Sequence, residues 1–384
     1  MPPRKIFEEV ASRPEAERTA RPASRTRLGK FDYRPLRLYL ATLLLLVVAM
    51  VLLGGITRHT DSGLSITDWR PVANILPPLS QEAWQAAFDS YRQTPEFKLQ
   101  NSAMTLVEFK SIYWWEWGHR LTGMLTGLVW AVGYALLHFL GKLPAGWHGR
   151  MLVLGGIGAL QGVIGWWMVS SGLTGDRVDV AATRLAVHLV LALGIISLIV
   201  GFTMQTRRQP SELMQARRHQ DSVLVKWSVA MVLLVFLQSA MGALLAGVDG
   251  GSAFPTWPLM NGQVFPSDAL AMQPVLANFI ENPNLLHFNH RLGGYILLVV
   301  ATMFWWRSRH CPQPSVRDAI KWLTAFVWIQ AFAGIATALV AATFAMAMLH
   351  QLLAVAVVVL ATSAMFNCRF PGSAIRRSGT DGSR

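Results

Sequence analysis

Eight apolar runs, each close to the length that crosses a bilayer, constrain this chain more than anything else in it. A hydrocarbon layer about 30 Å thick needs roughly 20 helical residues. The runs cover 37–56, 119–140, 151–170, 183–203, 223–246, 287–306, 319–340 and 344–366. In lipid a backbone must satisfy its own polar groups, so runs of this length are expected to be helices. The chain is 53% hydrophobic and 14% charged over 384 residues, which excludes a soluble domain built on one core. The expected fold class is an all-α polytopic membrane protein. The sixth run spans only if its His-bearing first turn is included. The last two are separated by a few residues around Ala341 to Phe344 and should form a tight helical hairpin.

Charge orients the runs. The formal net charge is +13. In a soluble chain that would suggest nucleic acid. Here the basic residues sit in the tails and in alternate connections, among them Lys142, Arg150, Arg207, Arg208, Arg217, Arg218, Arg307, Arg309 and Arg317. The 247–286 connection has no Lys or Arg, and the 57–118 connection is slightly acidic. This pattern predicts both termini on the cytoplasmic side, anionic lipid as a contact, and no nucleic-acid partner. The segment from Met1 to about Arg34 has no apolar core, so it is not a secretory signal. Glu8, Glu9, Glu15 and Glu17 interrupt its likeness to a transit peptide, and 1–36 reads as a disordered cytoplasmic tail. Cys311 and Cys368 both lie near cytoplasmic helix ends, where a structural disulfide is not expected. No CxxC or CxxCH occurs, which argues against covalent haem attachment and thiolate zinc sites.

The runs repeat. Runs one to four and five to eight share an order: helix, long outer connection, His-Arg helix, helix, helix with an early His. Glu116-Trp117-Gly118-His119-Arg120 opens the second run, and His287-Phe288-Asn289-His290-Arg291 opens the sixth. His188 and His350 stand early in the fourth and eighth. The outer connections align loosely, Gly55 to Trp69 with Ala243 to Trp257. Four helices return the chain to its starting side, so the halves are parallel repeats about an axis along the membrane normal. The expected layout is a four-helix bundle over 37–203, a cytoplasmic linker over 204–222, a second bundle over 223–366 and a cytoplasmic tail over 367–384. Gln81 to Tyr91 is expected to be an amphipathic interfacial helix with Trp84, Ala87, Phe88 and Tyr91 on one face, or else a surface lid without chemistry.

Intramembrane ionisable side chains are costly and usually mark a site. Two imidazoles facing each other across a four-helix bundle are the arrangement that axially ligates a haem iron. A structural or proton-relay role is the other reading of His119, His188, His290 and His350. His59, His138, His148, His219 and His310 read as solvated or interfacial. Arg120 and Arg291 could pair with haem propionates or anchor the interface. Gly155, Gly156, Gly158, Gly162, Gly165, Gly123 and Gly127 suit either close helix packing or a flat macrocycle. Tyr113, Trp114, Trp115 and Trp117 read as an aromatic belt. The repeats differ in one respect: three residues before the His, on the same helix face, the first half carries the carboxylate Glu116 and the second carries His287.

Glu116–Arg120, His287–Arg291, the helices of His188 and His350, and the loop from Gly54 to Trp69 together resemble haem A synthase, over about 37–366. The likeness is to the proteobacterial and mitochondrial branch, because the first outer loop lacks the cysteine pair of the other branch. The resemblance implies oxidation of a ring methyl of haem O to a formyl by successive hydroxylations, for cytochrome oxidase assembly. It implies that His119 and His188, with Arg120, hold the substrate haem. It implies that His290 and His350, with Arg291 and His287, hold a haem b cofactor, and that Glu116 is the catalytic carboxylate. Expected partners are haem O synthase and cytochrome oxidase assembly factors, and a homo-oligomer is compatible with it. The expected location is the bacterial inner membrane, preferred over the mitochondrial one. Two other readings compete. A di-haem electron-transfer protein of the quinol–cytochrome type would use the four histidines but not Glu116. A transporter would place broken helices at the midplane.

Overall fold

A computed structural model describes residues 31–68, 75–173, 175 and 177–372. Most of the 1–36 tail, Trp69 of the first outer loop and the C-terminal tail from 373 lie outside the described residues. From Tyr33 onward the chain is built of helices: α1 (Arg34–His59), α2 (Gln81–Tyr91), α3 (Pro95–Leu99), α4 (Leu106–Phe139), α5 (His148–Val169), α6 (Ala182–Gln205), α7 (Pro210–Arg217), α8 (Ser222–Gly247), α9 (Asn278–Glu281), α10 (Pro283–Ser308), α11 (Pro314–Leu339) and α12 (Phe344–Arg369). Among the described residues the only strand-like pairing is a bridge between Met260 and Gln263.

Seven of these helices, α1, α4, α5, α6, α8, α11 and α12, are long and apolar enough to cross a membrane. The eighth expected span corresponds to α10. It has 26 residues, but Asn284, His287, Asn289, His290 and Arg291 dilute its first turns. Local chemistry sets the helix starts. Thr105 and Glu108 form a reciprocal capping box before α4, Asp221 caps α8, and Asn282 caps α10 ahead of Pro283. The box at Thr105 starts α4 well before the apolar run at 119, so its first turns stand outside that run. The hairpin between α11 and α12 is as tight as expected: Ala341 and Ala342 hold φ of 51° and 53°, and Ala342 N–H donates to Thr337 O at 2.8 Å.

The spans pack as two closed rings. α1 packs on α4, α4 on α5, α5 on α6 and α6 back on α1. Likewise α8 packs on α10, α10 on α11, α11 on α12 and α12 back on α8. Contacts of α6 with α8 and α12, and of α1 with α12, join the rings. The main buried core lies along this seam and includes Val51, Leu193, Ile196, Val200, Met231, Val358 and Ala361. Helices α4 and α5 contribute nothing to it. Cys311 and Cys368 are free and buried.

The first outer connection is a small protein layer rather than a surface-lying helix. The α2 helix occupies the expected residues, capped by Ser80. Its apolar face does not turn to lipid, however. Trp84, Phe88 and Tyr91 bury against Phe97, Phe109, Tyr113 and Ile66, while Ala87 is only partly covered. Tyr113 therefore belongs to this cluster and not to an aromatic belt, whereas Trp114 and Trp115 remain exposed. The reason is the early start of α4, whose outer turns supply Phe109 and Tyr113 as a platform for α2.

Glu96 of α3 is buried at the edge of this cluster, 3% exposed. Asn101 reaches its Oε1 at 3.5 Å, and its Oε2 has no partner. Burial, reinforced by the carboxylates of Asp179, Asp61 and Glu116, pushes its carboxyl up to about 8. Between its ordinary 4.5 and that value the folded chain keeps a proton that the unfolded chain releases. The layer is then most stable below the lower value and loses stability as pH rises through the window. Limited proteolysis within 81–101 should accelerate from about pH 5 to about pH 8. Glu96→Gln should flatten that dependence; an equal slope in the variant would clear Glu96 as its cause.

Candidate functional site

Four imidazoles enter the two rings, His119 on α4, His188 on α6, His290 on α10 and His350 on α12. Each lies against a glycine of the neighbouring helix. A Cβ built at Gly54 would sit 3.4 Å from His119 Nε2. Cβ atoms built at Gly165, Gly242 and Gly334 would sit 2.9, 3.0 and 2.9 Å from Cε1 of His188, His290 and His350. At Gly165 and Gly334 a methyl group would collide with the ring, and at Gly242 it would press tightly against it. The four histidines thus occupy four versions of one seat, with Gly54 matching Gly242 and Gly165 matching Gly334.

Three of the seats carry an amide one turn before the glycine. The side-chain nitrogen of Gln161 donates to His188 O at 3.1 Å, that of Gln238 to His290 O at 2.8 Å, and that of Gln330 to His350 O at 3.1 Å. The same nitrogens stand 3.2 Å from His188 Nδ1, 3.1 Å from His290 Nδ1 and 3.3 Å from His350 Nε2. Oε1 of all three glutamines is buried without a partner. These glutamines were not among the residues expected from the sequence. The signal was present, because Gln161–Gly165, Gln238–Gly242 and Gln330–Gly334 share one spacing.

The rings of His290 and His350 stand 6.3 Å apart, centroid to centroid, with planes at 80°. Two imidazoles on opposite sides of one metal, each bonded at about 2 Å, would place their centroids about 6 Å apart. Among the described residues no cluster of three or more His, Cys, Asp and Glu could hold a metal ion alone. An iron already held in a macrocycle needs only two axial donors, and the pair fits that group.

Glu116 is 3% exposed and accepts four hydrogen bonds. Ser65 Oγ and Ile66 N–H donate to its Oε2 at 2.7 and 2.8 Å. Arg120 Nε and Nη2 donate to its Oε1 at 3.1 and 2.6 Å. Arg120 also donates to Ile66 O and Asp68 O. The carboxylate and the guanidinium therefore clamp the first outer loop over the mouth of the first ring. In the second ring Arg291 Nη2 donates to Phe254 O at 2.8 Å, as Arg120 does to Ile66 O. Ile66 and Phe254 are paired in the alignment of the two outer loops. Here the likeness ends. Arg291 Nε and Nη1 are buried without partners, and so is Nδ1 of His287. His287 packs edge-on to Phe254, with ring centres 5.6 Å apart.

The remaining histidines lie elsewhere. His138 and His148 pair with each other at 5.0 Å, and His59 packs on Phe344. The glycines of α4 and α5 divide. Gly155 lies against Trp130, Gly123 against Met50 and Gly165 against His188. Gly127, Gly156, Gly158 and Gly162 meet open space, so close helix packing does not account for them.

A model of the family described as COX15-CtaA, cytochrome oxidase assembly protein, matches residues 37–362. Three bacterial proteins named heme A synthase are similar along nearly their whole length. The one from Ruegeria pomeroyi is 47% identical over 96% of this chain and 97% of its own. The one from Dinoroseobacter shibae is 45% identical over 96% of each chain. One from Cereibacter sphaeroides is 43% identical over 98% of each.

The clamp on the outer loop makes a local prediction. Ser65→Ala removes one of the two donors to Glu116 Oε2 and leaves the carboxylate in place. The loss of about 1 kcal/mol should speed amide hydrogen exchange across 62–66 about fivefold. Exchange at the native rate would mean that the loop is not held through Glu116.

Proposed function

The chain belongs to the COX15-CtaA family of cytochrome oxidase assembly proteins, and from that membership we propose how its two rings divide the work of a haem A synthase. The enzyme oxidises a ring methyl of haem O to the formyl of haem A, for cytochrome oxidase assembly. Residues 37–203 form the substrate half and 223–366 the cofactor half, related by a pseudo-two-fold axis. Eight helices cross the bacterial inner membrane, α10 among them, with both termini and the 204–222 linker cytoplasmic. Haem O synthase supplies the substrate at the membrane.

His290 and His350 would hold a haem b in the second ring, and the observation that supports this is their ring geometry. When bound, that group supplies electron transfer to the substrate half. Arg291, two of whose nitrogens are buried without partners, would pair with a propionate of that group. His287 covers the same edge beside Phe254. In the first ring His119 and His188 hold haem O. Glu116, one turn before His119, exchanges protons with the reacting edge of the substrate, and Arg120 keeps the carboxylate and its loop in place. A di-haem electron-transfer protein would use the same histidines but leaves the Glu116 clamp without a purpose.

Two measurements test this division. His290→Ala or His350→Ala should abolish the low-spin haem b spectrum of the purified protein. A spectrum unchanged in both variants would end the ligand assignment. The chemistry is tested at Glu116. A glutamine has one acceptor oxygen, so its NH2 must face either the Arg120 fork or the Ser65–Ile66 donors. Glu116→Gln therefore removes the charge and opens the clamp, whereas Ser65→Ala only loosens the clamp. We expect Glu116→Gln to keep haem b, accumulate haem O and lose about 10²–10⁴ in conversion rate. Ser65→Ala should keep most of that rate. Equal losses in the two variants would reduce Glu116 to a loop clamp.

A further inference from the structure

The four histidine seats are not equivalent, and the difference lies in a residue outside the expected site. Three seats have Gln one turn before the glycine, at Gln161, Gln238 and Gln330. The fourth, on α1, has Met50 before Gly54. The match between Met50 and Gln238 is spatial as well as sequential. The Met50 methyl lies 3.3 Å from a Cβ built at Gly123, one turn past His119. The Gln238 amide nitrogen lies 3.5 Å from a Cβ built at Gly294, one turn past His290. The place that holds an amide beside His290 thus holds a thioether beside His119.

What the amide supplies follows from imidazole chemistry. A neutral imidazole that gives one nitrogen to a metal carries its proton on the other. That N–H needs an acceptor, which fixes the ring plane and raises the basicity of the ligating nitrogen. Beside His188, His290 and His350 a buried amide oxygen stands without a partner. As placed, the amide nitrogen faces Nδ1 of His188 and His290 and Nε2 of His350; turning the carboxamide about its broad terminal torsion would present the oxygen to the ring instead. The amide also bonds the backbone carbonyl of the same histidine, at 3.1, 2.8 and 3.1 Å. Each glutamine thereby ties its ligand to the neighbouring helix at the ring and at the backbone. Methionine offers no donor and only a weak acceptor.

Taking the four histidines as haem ligands, on which this rests, we infer that Gln161, Gln238 and Gln330 are positioning residues that hold three ligands fast, and that Met50 leaves His119 as the exchangeable ligand through which the substrate half takes up and releases its porphyrin. The cofactor is then gripped from both faces, by His290 and His350. The substrate is gripped firmly from one face, by His188, and loosely from the other. This is the difference required between a group that stays and one that leaves every turnover.

The test installs the missing amide. Full-length Met50→Gln is purified with its haems, and their transfer to apomyoglobin is followed by absorbance. Extraction and chromatography tell haem O and haem A from haem b. Orienting partners of metal-bound histidines are typically worth about 10–100-fold in affinity. We expect loss of haem O and haem A from Met50→Gln to slow at least about tenfold, with haem b unchanged. A native rate of loss overturns the inference. Should Met50→Gln fail to accumulate in the membrane, Gln238→Met decides. It should release haem b about tenfold faster, and a native rate overturns the inference equally. A haem b signal surviving both His290→Ala and His350→Ala strikes at the ligand assignment itself, and the inference falls with it.

Discussion

A polar ring inside hydrocarbon needs both room and a hydrogen bond. Without them it costs several kcal/mol of desolvation, and water is not there to help. The structure meets both needs from one neighbouring helix. A glycine gives the room, and in three cases an amide one turn away gives the bond. Because these two residues must share a helix face, they determine which helices are neighbours. The histidine helices α4, α6, α10 and α12 pack on α1, α5, α8 and α11 respectively, the helices that carry the glycines. The two closed rings follow from that requirement, while the apolar core gathers along the seam between them.

On this shared frame the two mouths differ in charge. Glu116 and Arg120 neutralise each other and hold the first loop through Ser65, Ile66 and Asp68. Arg291 has His287 where Arg120 has a carboxylate, and it keeps two nitrogens free of partners. A single exchange, Glu for His one turn before His119 and His290, therefore goes with whether the following arginine is satisfied by its own chain. The two mouths thus differ in which polar groups their own chain satisfies.

Much of this was legible in the sequence, and the reasons are specific. The spans, the hairpin at Ala341 and Ala342 and the residues of α2 follow from runs of apolar side chains, whose meaning hardly depends on context. The weak apolar character of the sixth run was also visible, and it is the span that fails a length-and-composition test on its own. What sequence reading missed depends on who the neighbours are. The apolar face of α2 is the same whether it meets lipid or Phe109 and Tyr113. Arg120 carries the same charge whether it meets a propionate or Glu116. Gln161, Gln238 and Gln330 look like ordinary polar residues until their shared distance from a glycine is set beside the histidines they touch.

Gly55, the neighbour of Gly54, carries no histidine. The space above Gly55 holds the carboxamide of Gln351, the residue after His350, and its nitrogen donates to Val51 O at 2.6 Å. This is a polar tie between the two rings at the depth of the histidines. In lipid a lost bond of this kind has no solvent to replace it. Sliding one ring past the other by a helical turn, about 5.4 Å, would strand the amide in hydrocarbon and drive it into the side chain next to Gly55. Gln351 therefore acts as a vertical stop. It keeps the histidine layers of the two halves level with each other.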